Sequence, residues 1–371
     1  MDIYKTCIKP VLFKLNPDFV HEMITTIGEI GSKTVVTRYL LQSAYDYQNP
    51  KLETTVFGLS FKNPVGIAGG FDKDCKLIET LPLIGFGFTE VGSITAKPYE
   101  GNERPWNIRL IDDQSILVNY GLKNKGAKVL KEKIRSKKRK VPLIINIAKT
   151  NDPTIKGSDS FEDYYQSLKL LLPEADIINL NISCPNTGDG TLFCESPTLL
   201  KGLLDRLSKE KISKPIVLKI KPDLNQKLLK EIILLSISYP FIKGFILSNL
   251  TKNRDLIKKV TQKKIEQNHG GLSGKPVQKL SDEMIKNVYQ WTKGKYPIIG
   301  LGGIFTAEDA YRKICLGASL VELATGMIFQ GPATIKRINK GLVTLLEKDG
   351  YTTISQAVGS KNKIKKNYRV E

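Results

Sequence analysis

From residue 64 onward, short apolar runs alternate with longer stretches in which apolar residues recur every three or four positions. The runs are PVGIAGG (64–70), FGFTEVGSIT (86–95), LIINIA (143–148), IINLNIS (177–183), IVLKIKP (216–222), GFILSNLT (244–251), PIIGLGG (297–303) and ASLVELAT (318–325). Each is apolar nearly throughout, as parallel strands buried on both faces are. Between them lie FEDYYQSLKLLL, SPTLLKGLLDRL, QKLLKEIILL, DEMIKNVYQW and TAEDAYRKIC, all with helical spacing. Eight strand-helix units in about 260 residues predict an α/β fold, a (β/α)8 TIM barrel. A doubly wound open sheet is the alternative, but it has no reason to stop at eight.

The runs end in small or polar residues: Gly69-Gly70, Ser93, Ala148-Lys149, Ser183-Cys184, Ser248-Asn249, Gly302-Gly303 and Thr325-Gly326, with Lys219 inside the fifth. In a barrel of this kind function sits at the carboxyl ends of the strands, so these segments are expected to converge on one site. The amino terminus follows a different pattern. Ile3, Tyr4, Cys7, Ile8, Val11, Leu12 and Leu15 have helical spacing that Pro10 should kink or restart. A second helix is predicted with Asn16 as its cap and Pro17 at its first position, burying Val20, Met23, Ile24 and Ile27. The expected organisation is an amino-terminal helical pair (1–45), a barrel (46–345) and a basic tail (346–371).

Composition adds less. Five cysteines at 7, 75, 184, 194 and 315 form no CxxC pair, and with two histidines a metal site is poorly supplied, so none is expected. A net charge of +20 raises the question of nucleic acid or anionic lipid. The lysines are spread along the chain, concentrated only at 137–140 and in the tail, without an aromatic-interleaved basic motif. A solvated basic surface is the expectation, with no nucleic-acid partner. No apolar stretch is long enough to span a bilayer. The lysine-flanked helical pair could instead lie on a membrane surface, or pack as a lid on the barrel.

The chemistry concentrates in Asn181-Ile-Ser-Cys-Pro-Asn-Thr-Gly-Asp-Gly190, which follows a strand. Taken alone, its thiol is as consistent with a small buried hydrophobe as with a proton acceptor. The glycines at 270–274, 302–303 and 326 clear a path for backbone N–H groups to reach a phosphate. A lysine at 219 within an apolar strand is costly to bury unpaired, and its charge suits an electron-rich ring such as a flavin.

These segments together, AGGFDKD (68–74), EVGSIT (90–95), INIAK (145–149), NISCPNTG (181–188), LKIKPD (218–223), SNLT (248–251), GGLSGKP (270–276), IIGLGGI (298–304) and LATGMIFQGP (323–332), resemble the dihydroorotate dehydrogenases, FMN-dependent barrel enzymes of pyrimidine synthesis. The resemblance covers residues 1 to about 345. It implies FMN contacts from Gly69, Gly70, Ser93, Asn146, Asn181, Lys219, Ser248, Gly274, Gly303 and Thr325. It implies substrate contacts from Lys73, Asn119, Asn181, Asn186 and Asn249. Cys184 takes the role of base, removing a proton from C5 of dihydroorotate as a hydride leaves C6, and Lys73 faces the substrate carboxylate. Some thiolate character, from a nearby cation or an ordered water, is expected at Cys184.

The helices with Pro17-Asp18 and His21-Glu22 resemble the membrane-associated class, which reduces quinone and sits peripherally on the cytoplasmic side. That class carries serine as its base, and cysteine is characteristic of the soluble, cytoplasmic classes. Val118 and Leu250 also stand where polar residues are usual. The resemblance therefore implies oxidation of dihydroorotate to orotate with quinone as acceptor. The alternatives are a soluble-type relative using fumarate or another acceptor, an enzyme of a different dihydropyrimidine, and a basic binding module on an inactive barrel.

Overall fold

The computed structural model describes residues 3–187 and 192–362. Eight parallel strands close a barrel in chain order: β1 (Val65–Asp72), β2 (Phe88–Ile94), β3 (Leu143–Ile147), β4 (Ile177–Asn181), β5 (Ile216–Ile220), β6 (Ile242–Leu247), β7 (Ile298–Leu301) and β8 (Ala318–Leu323), with β8 pairing back to β1. All eight coincide with the apolar runs. Ser248–Thr251 lies beyond the end of β6, and Thr325 opens a helix instead of ending a strand.

A strand alternates its faces with a period of two, so every second residue points into the barrel. Phe88, Ile144, Ile177, Val217, Ile246, Ile299 and Leu320 form one apolar layer there. Val56 and Phe61, from the hairpin Thr54–Val56 and Leu59–Phe61, pack against this layer and close the amino-terminal end. Two residues further along five of these strands the interior turns polar: Glu90, Asn146, Asn179, Lys219 and Glu322 are all buried. A barrel plugged with hydrocarbon at one end thus carries a polar floor under the opening at the other.

A three-stranded antiparallel sheet, formed by Asn107–Leu110, Ser115–Val118 and Gly271–Leu272, stands over the carboxyl ends. The amino terminus begins with two short helical segments, Tyr4–Ile8 and Lys9–Leu12, joined at the step that Pro10 imposes. Helix α1 (Pro17–Gly31) starts at the predicted cap, with Asn16 Oδ1 accepting from the Asp18 and Phe19 N–H groups. Asp18 is buried and accepts from the Trp106 N–H at 2.9 Å and from Asn107 Nδ2 at 3.0 Å, which clamps α1 to the antiparallel sheet.

Two features differ from expectation. Ile24 and Ile27 of α1 are exposed, and a further helix, α2 (Val35–Tyr45), follows with Val35, Val36, Tyr39 and Leu40 also exposed. Amphipathic spacing shows that one face is apolar but not what covers it. The packed chain also continues past residue 345: Ile354 and Ala357 are buried, and Asn362 bonds the Lys286 and Leu316 carbonyls. Of the expected basic tail, residues 363–371 lie outside the described residues. No described helix is long and apolar enough to cross a membrane.

Candidate active site

A cavity of about 500 Å³ opens at the carboxyl ends of the strands and continues outward between the barrel and the amino-terminal helices. It is lined by Gly69, Gly70, Lys73, Ser93, Asn181, Cys184, Asn186, Lys219, Asn249, Gly274, Gly303 and Thr325, twelve of the residues singled out in the sequence. Asn146, Ser248 and Asn119 stand just behind it. Asn146 Nδ2 donates to Glu90, the Ser248 hydroxyl to the Leu301 carbonyl, and Asn119 Oδ1 accepts from Asn102.

The Cys184 loop is tied down from several sides. The Ser183 hydroxyl donates to the Lys219 carbonyl at 2.8 Å, Asn249 Nδ2 reaches the Ser183 hydroxyl at 3.0 Å, and Asn181 Nδ2 donates to the Ser93 hydroxyl at 3.0 Å. Asn186 Nδ2 donates to the Val118 carbonyl at 2.8 Å, so the overlying sheet holds the far side of the turn. Residues 188–190, the remainder of the loop motif, lie outside the described residues. Burial pushes the Cys184 thiol up to about 11, against the Asn186 backbone N–H and the charges of Lys219 and Lys252, which pull the other way. The expected cations are present, but desolvation outweighs them and the resting group is a thiol.

Lys73 projects over the face of Tyr120, with Nζ 3.5 Å from the ring centroid, and donates to the Gly70 carbonyl. Enclosure lowers its pKa to about 7, opposed by Asp74 and Asp72. His21 on α1 packs edge-on against Phe71 at 5.2 Å, and burial followed by the Lys73 charge lowers it to about 3, so it is a neutral imidazole. At the outer end Arg109 lies over the Phe13 ring and donates to the Leu15 carbonyl at 2.8 Å. Leu250 and Val118 line the wall as apolar surface.

Lys219 is not unpaired. Its ammonium lies 3.7 Å from Glu90, which also accepts from the Gly69 N–H at 2.7 Å and from Asn146 and Asn179 at 2.6 Å each. Burial pushes Glu90 up, but Lys219 and these hydrogen bonds hold it below the ordinary range. Glu90, Asn179 and Glu322 were missed in the sequence. The signal for them is the pattern Phe88-x-Glu90, Ile177-x-Asn179, Val217-x-Lys219 and Leu320-x-Glu322, a period of two inside runs that read as continuously apolar. Asn102 was also missed; it donates to Asn119 Oδ1 and the Asn186 carbonyl and accepts from the Tyr99 hydroxyl at 2.9 Å.

A family model described as dihydroorotate dehydrogenase matches residues 51–346, a span that includes the thiol loop, the buried lysine and the glycine-lined rim. The chain belongs to the dihydroorotate dehydrogenase family. A relative from Trichodesmium erythraeum (strain IMS101), named dihydroorotate dehydrogenase (quinone), is 38% identical over 98% of this chain and 100% of its own length. Another of the same name, from Christiangramia forsetii (strain DSM 17595 / CGMCC 1.15422 / KT0803), is 39% identical over 92% of this chain and 99% of its own. Among solved structures, the DHODH of Eimeria tenella in complex with ferulenol superposes with a TM-score of 0.81 at 28% identity, covering 94% of this chain and 98% of that one. The matches thus include the amino-terminal helices as well as the barrel.

Proposed function

We propose that the cavity binds FMN across the polar floor and oxidises dihydroorotate to orotate in pyrimidine biosynthesis, passing the electrons to a membrane quinone. The observation that carries this reading is the single cavity joining Cys184, Lys73 and Lys219 to the space beneath the amino-terminal helices. The residues fit a flavin. A Cβ at Gly70 would meet no atom within 4 Å, so open space lies where a planar ring must pass, and Asn146 Oδ1 is buried without a partner among the described residues. At the phosphate end, Gly274 and Gly303 adopt φ of +80° and +70°, and a Cβ on either would collide with Gln114 or Gln278. Only glycine allows the chain to make that rim.

FMN, when bound, supplies the acceptor for the hydride leaving C6 of the substrate. The chain does the rest. Lys73 holds the substrate carboxylate, and the carboxamides of Asn181, Asn186 and Asn249 orient the planar ring through paired donors and acceptors. Cys184 takes the C5 proton, which leaves the C5=C6 double bond of orotate. Lys219, which lines the cavity, would offer its positive charge to the electron-rich flavin ring, in a site whose low dielectric strengthens it.

Two ionisations then oppose each other. With a thiol near 11, the reduction step under substrate saturation rises about tenfold per pH unit through the neutral range, because the thiolate fraction does. Orotate affinity falls by up to about tenfold per unit above pH 7, where Lys73 loses its proton. Stopped-flow reduction and orotate titration across pH separate the two; a flat rate profile would remove the thiol as base, and flat affinity would remove Lys73 from the carboxylate.

For the acceptor, the apolar channel past Phe13, Val20 and His21 opens beneath exposed Phe19, Ile24, Ile27 and Ile30. These side chains suit peripheral insertion into lipid, which requires no spanning helix. FMN-loaded protein, reduced and mixed anaerobically with quinone-bearing vesicles, is expected to sediment with them and reoxidise at once, and to stay reduced with fumarate or NAD. Reoxidation by fumarate alone would overturn the quinone assignment.

A further inference from the structure

One group in the polar floor has no part in this chemistry. Glu322 on β8 is fully buried, lines the cavity, and neither of its carboxyl oxygens accepts a hydrogen bond from any donor among the described residues. Glu90 shares the polar layer with it and acts on it as a like charge. Glu90 already holds the available donors, namely the Gly69 N–H, the Asn146 and Asn179 carboxamides and Lys219. Two neighbouring carboxylates in a dry interior do not both ionise readily, and the proton settles on the one with fewer donors. Burial, then the charge of Glu90, push Glu322 well above the usual carboxyl range. As an acid it has an acceptor beside it; as an anion it would meet the repulsion of Glu90, which the attraction of Lys219 does not offset.

We infer that Glu322 is a neutral carboxylic acid that donates to Glu90 and serves as a positioning residue for Lys219, setting the reduction potential of the flavin bound there. With Glu322 protonated, Glu90 and Lys219 cancel and the floor is neutral. Were it ionised, the floor would carry a net negative charge under a ring that gains electrons, and the potential would fall. The second half rests on the FMN reading; the protonation state does not.

Infrared spectroscopy of the holoenzyme at about pH 8 tests the first half. Asp72, which burial raises to about 6, is ionised at that pH. A protonated-carboxyl carbonyl band that shifts in D2O and vanishes in Glu322→Gln is expected; its absence from the wild type would overturn the proposal without any variant. The FMN midpoint potential tests the second. Glu322→Gln, which keeps a neutral donor, retains the potential, and Glu322→Leu, which deletes it, shifts it. A potential that rises in Glu322→Gln would show that an anion had been removed, and Gln and Leu variants that both match the wild type would reduce Glu322 to packing. Failure of the protein to take up FMN would sink the cofactor reading, while the infrared band would still decide Glu322.

Discussion

Cys184→Ala is expected to keep its FMN and to slow reduction of the flavin by dihydroorotate by a factor on the order of 10² to 10⁴, the usual contribution of a positioned base. The cofactor is retained because the thiol is not among the proposed flavin contacts, and the loop is held by Ser183, Asn181 and Asn249 and not by the thiol. The rate falls because no other titratable group stands on the described part of this loop: Asn181, Ser183 and Asn186 are neutral carboxamides and a hydroxyl. Raising the pH should accelerate the wild type but not the variant, since the group that gains thiolate character is gone. Single-turnover reduction at two pH values checks both parts. Unchanged kinetics would reject Cys184 as the base.

Lys219→Met is expected to cost about 3–5 kcal/mol of stability at neutral pH and to abolish stable FMN binding. The substitution leaves Glu90 buried with its negative charge uncompensated, next to Glu322. The pH dependence of stability should also invert. In the wild type the depressed Glu90 contributes stability that is present above its unfolded pKa and lost as the pH falls. Without Lys219 its folded pKa lies above the unfolded value, so the penalty is present at neutral pH and is relieved as acidification protonates it. Denaturant melts at pH 7 and pH 5 distinguish the two; a variant that loses stability on acidification as the wild type does would show that Glu90 was not held by Lys219.

The barrel was legible because its strands are buried on both faces, so each appears as an uninterrupted apolar run, and because the turns between units are rich in glycine and proline. The same continuity hid the polar floor. A strand with apolar residues on its outer face and one glutamate or asparagine inside still looks apolar, and only the register of Phe88, Ile144, Ile177, Val217 and Leu320 exposes Glu90, Asn146, Asn179, Lys219 and Glu322 as one layer.

The cover over the site was less legible for a different reason. Gly271–Leu272 pairs with Leu117–Val118 across more than half of the barrel's sequence, and no local pattern encodes a pairing of that range. Asn102 likewise acts through loop-to-loop hydrogen bonds to Asn119 and Asn186. The cap at Asn16, a local interaction, was predicted correctly, while the exposure of Ile24 and Ile27 on the same helix was not, because burial depends on what lies opposite.

The most direct measurement is anaerobic titration of the FMN-loaded protein with dihydroorotate, followed in the flavin absorbance band. The account predicts bleaching with one equivalent of substrate per flavin and release of one equivalent of orotate. A flavin that stays oxidised in the presence of dihydroorotate, but bleaches with a chemical reductant, would contradict it.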